Sequence, residues 1–215
     1  MTKDSLRITE IFYSLQGEGK TVGLPTTFIR LTGCPLRCGY CDTEYAFHGG
    51  ETRRIEDILQ EVDKLGAQHI NVTGGEPLAQ KRVHDLMRQL CGAGYHVSLE
   101  TSGALDISGV DDRVIKVLDV KTPGSGEMTK NLHANYQYLA KDDQVKYVIC
   151  DKADFDWSKE HMQEHKLADK CEVLFSPVQA QLQAVELANW VIEEKLAVRF
   201  QIQLHKYLWG DTPGK

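Results

Sequence analysis

Three closely spaced cysteines are the residues in this sequence most able to do chemistry. Cys34, Cys38 and Cys41 form the pattern C-x3-C-x2-C, and proline, arginine and glycine lie among the residues between them. A loop this short can direct three thiols to one metal centre, whereas these intervening residues fit poorly with cysteines that only pack as small apolar side chains. The spacing therefore predicts a metal centre.

Two kinds of centre are compatible with three local thiolates. A structural zinc ion usually takes four protein ligands, so zinc would need a fourth, for which His48 is a candidate. A four-iron cluster held by three thiolates would leave one iron without a protein ligand and open to a chelating small molecule. We favour the iron–sulfur cluster and keep zinc as the alternative.

The composition excludes several classes of protein. The chain has 215 residues, 41% of them hydrophobic, with 25 Lys and Arg against 31 Asp and Glu, which gives a formal net charge of −6. The acidic balance disfavours non-specific nucleic-acid binding, and no apolar run suits a secretory signal or a membrane span. We therefore expect a cytoplasmic protein with no nucleic-acid or membrane partner.

Short β-branched runs alternate with helical spacings, which predicts an α/β fold with parallel strands. The helical spacings cover residues 55–65, 83–90 and 182–196. The predicted strands are residues 27–31, 70–73, 96–100, 114–120, 145–150, 172–175 and 198–204. Because ligands collect at the carboxyl ends of parallel strands, the polar and glycine-rich segments that follow these strands are expected to share one rim.

The cysteine pattern resembles the radical S-adenosylmethionine (SAM) superfamily. Tyr40 before the last cysteine is typical of it, and Gly74-Gly75-Glu76-Pro77 looks like the loop whose backbone receives the SAM amino group. Within that superfamily, further motifs are similar to the 7-carboxy-7-deazaguanine synthase (QueE) family. They are Leu15-Gln16-Gly17-Glu18-Gly19, Phe28-Ile29-Arg30-Leu31, Gly33-Cys34-Pro35, Cys41-Asp42-Thr43, Thr73, Glu100-Thr101-Ser102-Gly103 and His205-Lys206.

The resemblance implies a partial, open TIM-like barrel of about six strands with a reduced helix complement, shorter than the full eight-unit barrel. It implies one radical SAM domain over residues 1–215, with a 4Fe–4S cluster, SAM and Mg²⁺ as cofactors. It also implies a reduced flavodoxin-type electron donor and a homodimer. The reaction would convert 6-carboxy-5,6,7,8-tetrahydropterin to 7-carboxy-7-deazaguanine with loss of ammonia, in queuosine biosynthesis. No side chain is expected to be catalytic, because the SAM-derived radical carries the chemistry.

Site residues follow from the same resemblance, position by position. Cys34, Cys38 and Cys41 would hold the cluster, and the hydroxyl of Thr43 would bind Mg²⁺, which otherwise keeps several waters. The expected SAM contacts are Tyr40, Cys41, Asp42, Gly75, Asp119, Val120, Lys121, Ser176, Pro177, Val178 and Gln179.

The residues expected at the substrate suit a pterin that carries a carboxylate. Arg30, at the end of a strand, can pair with a carboxylate through two hydrogen bonds, and Glu18 can accept hydrogen bonds from the pterin edge. The full set is Leu15, Gln16, Gly17, Glu18, Arg30, Thr73 and His205, with Pro213 in the tail as a further candidate contact.

Two other interpretations stay open. One is a different radical SAM enzyme or activase with another substrate, and the other is a zinc-stabilised binding module without catalysis. A separate motif, His161-Met162-Gln163-Glu164-His165, has the H-x-x-E-H pattern of some zinc proteases. Because it lies in a polar helical stretch, we interpret it as a solvated helix face.

Overall fold

The computed structural model describes residues 4–179, 181–210 and 212–215. The strands are β1 (Ser5–Leu15), β2 (Pro25–Leu31), β3 (Glu51–Arg54), β4 (His69–Gly74), β5 (His96–Thr101), β6 (Ile115–Val120), β7 (Gln144–Ile149), β8 (Glu172–Pro177) and β9 (Arg199–Phe200). The helices are α1 (Ile55–Leu65), α2 (Val83–Gly92), α3 (Lys152–Glu164), α4 (Ala184–Glu193) and α5 (Leu204–Trp209). None of these helices is long and apolar enough to span a membrane.

All nine strands of the described residues belong to one sheet, in the order β3-β1-β2-β4-β5-β6-β7-β8-β9. From β2 through β9 the neighbouring strands are parallel, whereas β1 is antiparallel to both β2 and β3. Since β3 and β9 stand at opposite ends of that order, the sheet is an open barrel. The predicted open α/β barrel is confirmed, with more strands than the expected six.

Two strands, β1 and β3, were not predicted, because their residues show little of the strand pattern. In β1 the pairing with β2 shifts register between Ile8 and Glu10, so the apolar residues do not alternate regularly along the strand. The short β3 is polar and mostly exposed. Neither segment shows the period-2 burial on which strand prediction depends.

Two of the three predicted helices are confirmed by their burial. In α1, Ile55, Ile58 and Val62 are buried, and the helix ends at Gly66, whose left-handed backbone lets its N–H donate to the Val62 carbonyl. In α2 the buried side chains have the predicted spacing, and they are Val83, Leu86, Met87 and Leu90.

The prediction near the carboxyl end was less accurate. Helix α4 buries Leu187 and Val191, whereas Val185 and Ile192, both on the predicted apolar face, are 65% and 72% exposed. The strand predicted over residues 198–204 is only β9, because the chain turns into α5 at Leu204.

Helix α3 corrects the interpretation of the H-x-x-E-H motif. It begins at Asp151, whose carboxylate accepts a hydrogen bond from the Asp154 N–H at 2.9 Å, and it packs Phe155 into the core. His161 on this helix is only 5% exposed. The prediction of a solvated helix face is therefore wrong for His161. This histidine can be buried because two tyrosine hydroxyls form hydrogen bonds with its ring nitrogens.

The two faces of the parallel strands differ in chemistry. On the outer face, apolar side chains such as Ile29, Val72, Leu99 and Tyr147 join the core beneath the helices. On the inner face, alternate residues line a cavity, and most of them are polar: Arg30, Asn71, Thr73, Glu100, Asp119 and Lys146. The alternation therefore separates a packed core from a polar interior.

A buried ion pair outside this cavity generates a stability prediction. Lys116 Nζ lies 3.0 Å from Asp143 Oδ2, and the two side chains are 5% and 3% exposed. Asp143 also accepts the backbone N–H groups of Lys116 and Ala140 at 2.7 and 2.8 Å. Asp143→Ala would leave a buried ammonium group unpaired and should cost about 3–5 kcal/mol of unfolding free energy in urea titrations.

The neighbouring Asp142 supplies the matched control, because its side chain is 87% exposed although it pairs with Lys20 at 3.7 Å. Asp142→Ala should change the unfolding free energy by no more than about 0.5 kcal/mol. Equal destabilisation by the two substitutions would contradict the role of Asp143 as the partner that the buried Lys116 requires.

Candidate active site

The cysteine loop follows β2 directly and is fixed by backbone hydrogen bonds. The Gly33 N–H donates to the Ala46 carbonyl at 2.8 Å, and the Gly39 N–H donates to the Ser125 carbonyl at 3.0 Å. Cys34, Cys38 and Cys41 are free thiols of intermediate exposure, and all three line one cavity of about 290 Å³. The loop therefore presents three thiols to one space.

Zinc at the three thiols would need a fourth ligand, because structural zinc sites usually take four protein ligands. His48, the candidate fourth zinc ligand, is exposed and stands outside the described cavity lining. Three thiols at one cavity without His48 suit a four-iron cluster that keeps one iron free of protein ligands.

The surroundings of the three cysteines favour the protonated thiol over the thiolate. Burial raises the pKa of all three cysteines, in the case of Cys38 to about 11. Metal ligation requires thiolates, so a bound cluster must displace these protons.

The glycine-rich loop after β4 lies directly against the cysteine loop. The Gly75 N–H donates to the Leu31 carbonyl at 3.1 Å, and the Glu76 N–H donates to the Gly33 carbonyl at 2.8 Å. A Cβ at position 75 would stand 2.8 Å from the Cys34 Cβ and would also collide with the Gly33 carbonyl. Only glycine fits at position 75, so the close contact between the glycine-rich loop and the cysteine loop depends on it.

Glu76 fastens this loop to the next strand. Its carboxylate is fully buried and accepts hydrogen bonds from the Leu78 N–H at 3.0 Å and the Thr101 hydroxyl at 2.9 Å. Ser102 donates to it through both its N–H, at 2.7 Å, and its hydroxyl, at 2.5 Å. The ends of β4 and β5 are therefore held as one rigid rim.

The inner wall centres on a buried lysine. Lys146 Nζ on β7 is 2.7 Å from Glu18 Oε2 and 3.5 Å from a carboxylate oxygen of both Glu100 and Asp119. Gln203 also donates to Glu18, at 2.7 Å. One ammonium group thus gathers carboxylates from β5, from β6 and from the loop after β1.

These contacts fix the charges in the cavity. Burial would raise the pKa of Glu18, but the Lys146 charge and hydrogen bond outweigh burial and hold that pKa below its ordinary value. Burial would lower the pKa of Lys146, but the carboxylates Glu18 and Glu100 hold it well above its ordinary value. Burial raises the pKa of Glu100 to about 7 despite Lys146. The pKa of Asp42 is lowered to about 2, because Lys206 outweighs burial.

Arg30 on β2 also lines the cavity, with its Nε–H group engaged. Its Nε donates to Glu10 at 2.7 Å, and its guanidinium carbon lies 5.8 Å from the ring centroids of both Phe12 and Tyr45. Tyr45 donates its hydroxyl to the same Glu10 oxygen at 2.8 Å. Since a guanidinium has five N–H groups, the pairing through Nε leaves capacity for an anion.

The carboxyl-terminal segment covers the cavity. The Leu204 N–H donates to the Gly17 carbonyl at 3.0 Å, which places His205 so close that a Cβ at Gly17 would lie 3.0 Å from the His205 Cγ. Lys206 pairs with Asp42 at 2.7 Å. Residues 212–215, including Pro213, also line the cavity.

Comparisons with known proteins agree with this geometry. Residues 28–122 match the radical SAM superfamily. A 7-carboxy-7-deazaguanine synthase from Chlorobaculum tepidum is 41% identical, with 97% of this chain and 96% of the relative aligned. The chain belongs to the 7-carboxy-7-deazaguanine synthase family. A relative of the same name from Koribacter versatilis is 40% identical, over 95% of this chain and 97% of the relative. The crystal structure of QueE from Escherichia coli has the same fold, with a TM-score of 0.78 at 22% identity, covering 94% of this chain and 95% of that one.

The structure brings most of the predicted site residues to one cavity, while their roles stay predictions. Those that line it are Leu15, Gln16, Gly17, Glu18, Arg30, Cys34, Cys38, Tyr40, Cys41, Asp42, Thr43, Thr73, Gly75, Asp119, Lys121, Val178, Gln179 and His205. The structure also describes Val120, Ser176 and Pro177, but it places their side chains outside this lining. Val120 faces the core because side chains alternate along β6, Ser176 is buried within β8, and Pro177 borders a second, smaller cavity.

Sequence reasoning missed several lining residues. Glu100 belonged to a recognised motif without a role, and Asn71, Lys146 and Gln203 were not singled out. Lys146 carried a usable signal, since a lysine inside an otherwise apolar strand must have a buried partner or face a cavity. Asn71 is buried with its Oδ1 unpartnered, which marks a polar atom available to a ligand.

The close fit at Gly75 generates a prediction for this family member. Gly75→Ala should weaken SAM binding at least about 10-fold, an effect of about 1.4 kcal/mol, because the added Cβ displaces the loop that receives the cofactor. The measurement is anaerobic equilibrium binding of SAM to protein with its iron content determined. Gly92→Ala is the control, because a Cβ there meets nothing within 4 Å. Unchanged SAM affinity in Gly75→Ala would contradict the predicted role of the glycine-rich loop in SAM binding.

Proposed function

We propose that this chain is a radical SAM lyase that converts 6-carboxy-5,6,7,8-tetrahydropterin to 7-carboxy-7-deazaguanine with loss of ammonia. The observation that carries the proposal is one cavity with two chemically different sides. Three thiols from one loop stand on one side, and the buried charged side chains of Glu18, Glu100 and Lys146 stand on the other. Family membership supports the same reaction.

The thiol side of the cavity suits the cofactors. Cys34, Cys38 and Cys41 would hold a 4Fe–4S cluster, and the reduced cluster with SAM supplies the one-electron chemistry that starts the reaction. Gly75 leaves room for the amino acid part of SAM. Tyr40, which has a buried hydroxyl without a partner, gives SAM a further polar contact.

Further SAM contacts follow the rim of the cavity. Asp119 and Lys121 line it at the end of β6, and Val178 and Gln179 line it after the end of β8. Lys121 lies 2.9 Å from Asp119, and its Nζ is 5.9 Å from the Tyr40 ring. We also keep Val120, Ser176 and Pro177 as proposed SAM neighbours. Because their side chains lie outside the cavity lining, we propose that they contact SAM through backbone atoms.

The charged side suits the pterin. Arg30 would bind the substrate carboxylate, and Glu18, held ionised by Lys146, would accept hydrogen bonds from the donor-rich pterin edge. Gln16 is buried, and its side chain accepts the Gly17 N–H at 2.9 Å, so this turn is preorganised. Leu15, Thr73, His205 and Pro213 complete the proposed substrate contacts.

Thr43 is the proposed protein ligand of Mg²⁺. Its hydroxyl donates to Asp42 Oδ1 at 2.8 Å, so the oxygen keeps its lone pairs for a cation. The carboxylate of Asp42 beside it is ionised, because its pKa is about 2. A single neutral ligand suits Mg²⁺, which retains waters and takes substrate oxygens.

The remaining expectations are proposals of the same kind. We propose that residues 1–215 act as one domain, which the continuous sheet supports. The flavodoxin-type electron donor, the homodimer, the absence of a nucleic-acid partner and the cytoplasmic location stay predictions.

The function is tested by anaerobic turnover. Reduced protein with iron and sulfide bound should form 7-carboxy-7-deazaguanine from SAM, Mg²⁺ and the carboxytetrahydropterin, with product measured by mass spectrometry. Arg30→Ala should lower kcat/KM about 10- to 100-fold while the iron content is unchanged, because a charge-assisted hydrogen bond to the substrate is lost.

Arg53→Ala is the control for this substitution, because Arg53 pairs with Glu61 at 2.6 Å and stands outside the described cavity lining. It should keep wild-type turnover. A wild-type protein that cleaves SAM and leaves the pterin untouched would favour another radical SAM enzyme. A colourless protein that contains zinc without iron or sulfide would favour the zinc-stabilised module.

The magnesium site has its own test. Thr43→Ala should raise the Mg²⁺ concentration needed for half-maximal turnover by about 10-fold or more, with little change in SAM affinity. Thr43→Ser retains a hydroxyl and should restore the wild-type response. If the magnesium titration of Thr43→Ala matches that of wild type, Thr43 is not a ligand.

A further inference from the structure

Three histidines meet on the outer side of the sheet. His133 comes from the 3-10 turn His133–Tyr138, and His161 and His165 are about one turn apart at the end of α3. One potential ligand atom from each lies within 4.8 Å of the others. In the described part of the chain this group is remote from the cavity lining, since His161 packs beside Tyr147, whose neighbour Lys146 faces the cavity.

The three imidazoles contact one another directly. The ring centroids of His161 and His165 are 4.5 Å apart, and those of His133 and His165 are 4.8 Å apart, both pairs inclined rather than stacked. The three side chains therefore form one compact imidazole cluster.

His161 is oriented as metal-ligating histidines usually are. Its Nδ1 is hydrogen-bonded to the Tyr147 hydroxyl at 2.8 Å, and its Nε2 makes a longer hydrogen bond of 3.3 Å with the Tyr136 hydroxyl. Trp157 stacks on the ring, with centroids 4.7 Å apart and planes inclined by 23°. These contacts fix the position of the ring; a metal at Nε2 would replace the longer hydrogen bond, with Nδ1–H donating to Tyr147.

We propose that His133, His161 and His165 form a second metal site, which takes one divalent zinc ion with water in the fourth position. Nitrogens bound to one zinc at about 2.0–2.1 Å are no more than about 4.2 Å apart. His133 is exposed and His165 is half-buried, so small rotations of these two side chains close the remaining gap onto the fixed His161.

The ion would tie α3 to the segment between β6 and β7. That segment also holds the cysteine loop, because Ser125 accepts the Gly39 N–H at 3.0 Å and Glu127 accepts the Arg37 N–H at 2.6 Å. A zinc ion at the three histidines, with its fourth position left to water, would therefore stiffen the support of the cysteine loop without contacting its thiols.

The test is zinc binding to holoenzyme that already contains its iron–sulfur cluster. Anaerobic protein is equilibrated with Zn²⁺ at buffered micromolar free concentration, and zinc and iron per chain are measured together. We expect one zinc per chain with no loss of iron, and at least a 10-fold lower zinc affinity in both His133→Ala and His165→Ala. These two residues are chosen because His161 is buried and its replacement could impair folding.

Two further variants sharpen the result. Tyr147→Phe keeps the buried ring but removes the hydroxyl beside Nδ1, and it should weaken zinc binding about 10- to 100-fold. His69→Ala is the control, since His69 stacks on His96 with centroids 5.1 Å apart at a different place in the sheet, and it should bind zinc normally. The proposal is overturned if wild type retains no zinc, if zinc enters only as iron is lost, or if His133→Ala and His165→Ala bind like wild type.

Discussion

The buried ammonium group of Lys146 is the interaction on which the interior of this barrel depends. A charge removed from water is tolerated only with close partners, and Lys146 has three carboxylates from three different segments. Without the lysine, Glu18 and Glu100 would lose the ammonium group that they share, whereas Asp119 would keep its pair with Lys121 at 2.9 Å. Because these charged side chains point inward, apolar side chains cannot fill the inner face. The parallel strands therefore enclose a polar cavity instead of a second core.

A second constraint acts at the rim, where loops rather than strands carry the chemistry. Glu76 links the glycine-rich loop to the end of β5, and Gly75 lets that loop approach the cysteine loop. The backbone carbonyls of Ser125 and Ala46 accept hydrogen bonds from the cysteine loop and hold it from other directions. The thiols therefore occupy positions set by several elements, which is what preorganisation for a cofactor requires.

The two sides of the cavity divide the work of the proposed reaction. The thiol side holds the residues that we propose to bind the cofactors, with Asp42 and Lys121 also in the lining. The opposite side carries fixed charges, with Arg30 set for an anion and Glu18 set for hydrogen-bond donors. A pterin with a carboxylate at one end and amino groups at the other matches that separation of charge.

Local sequence signals predicted the features that depend on local spacing. The cysteines, Gly75 and the buried positions of α1 were readable because their chemistry or periodicity lies within a few residues. The bulge in β1 hid a strand, and the exposed Val185 and Ile192 misled the assignment of the apolar face of α4. Val120 was assigned with its motif, although strand alternation turns its side chain away from the cavity.

Features that depend on distant segments could not be predicted in this way. The partners of Lys146 are 27 to 128 residues away along the chain, and nothing near position 146 identifies them. His161 lies in a polar stretch, and its burial depends on Tyr136 and Tyr147, which come from other elements. Tertiary contacts of this kind outweigh local composition.

In the proposed reaction, the SAM-derived radical removes the hydrogen at C6 of the pterin, and the fate of that hydrogen tests the central claim most directly. Substrate carrying deuterium at C6 is turned over anaerobically with SAM, and the 5′-deoxyadenosine and the deazapurine are analysed by mass spectrometry. The account predicts that deuterium is transferred to 5′-deoxyadenosine as the deazapurine forms. Unlabelled 5′-deoxyadenosine with the labelled pterin recovered intact would contradict it.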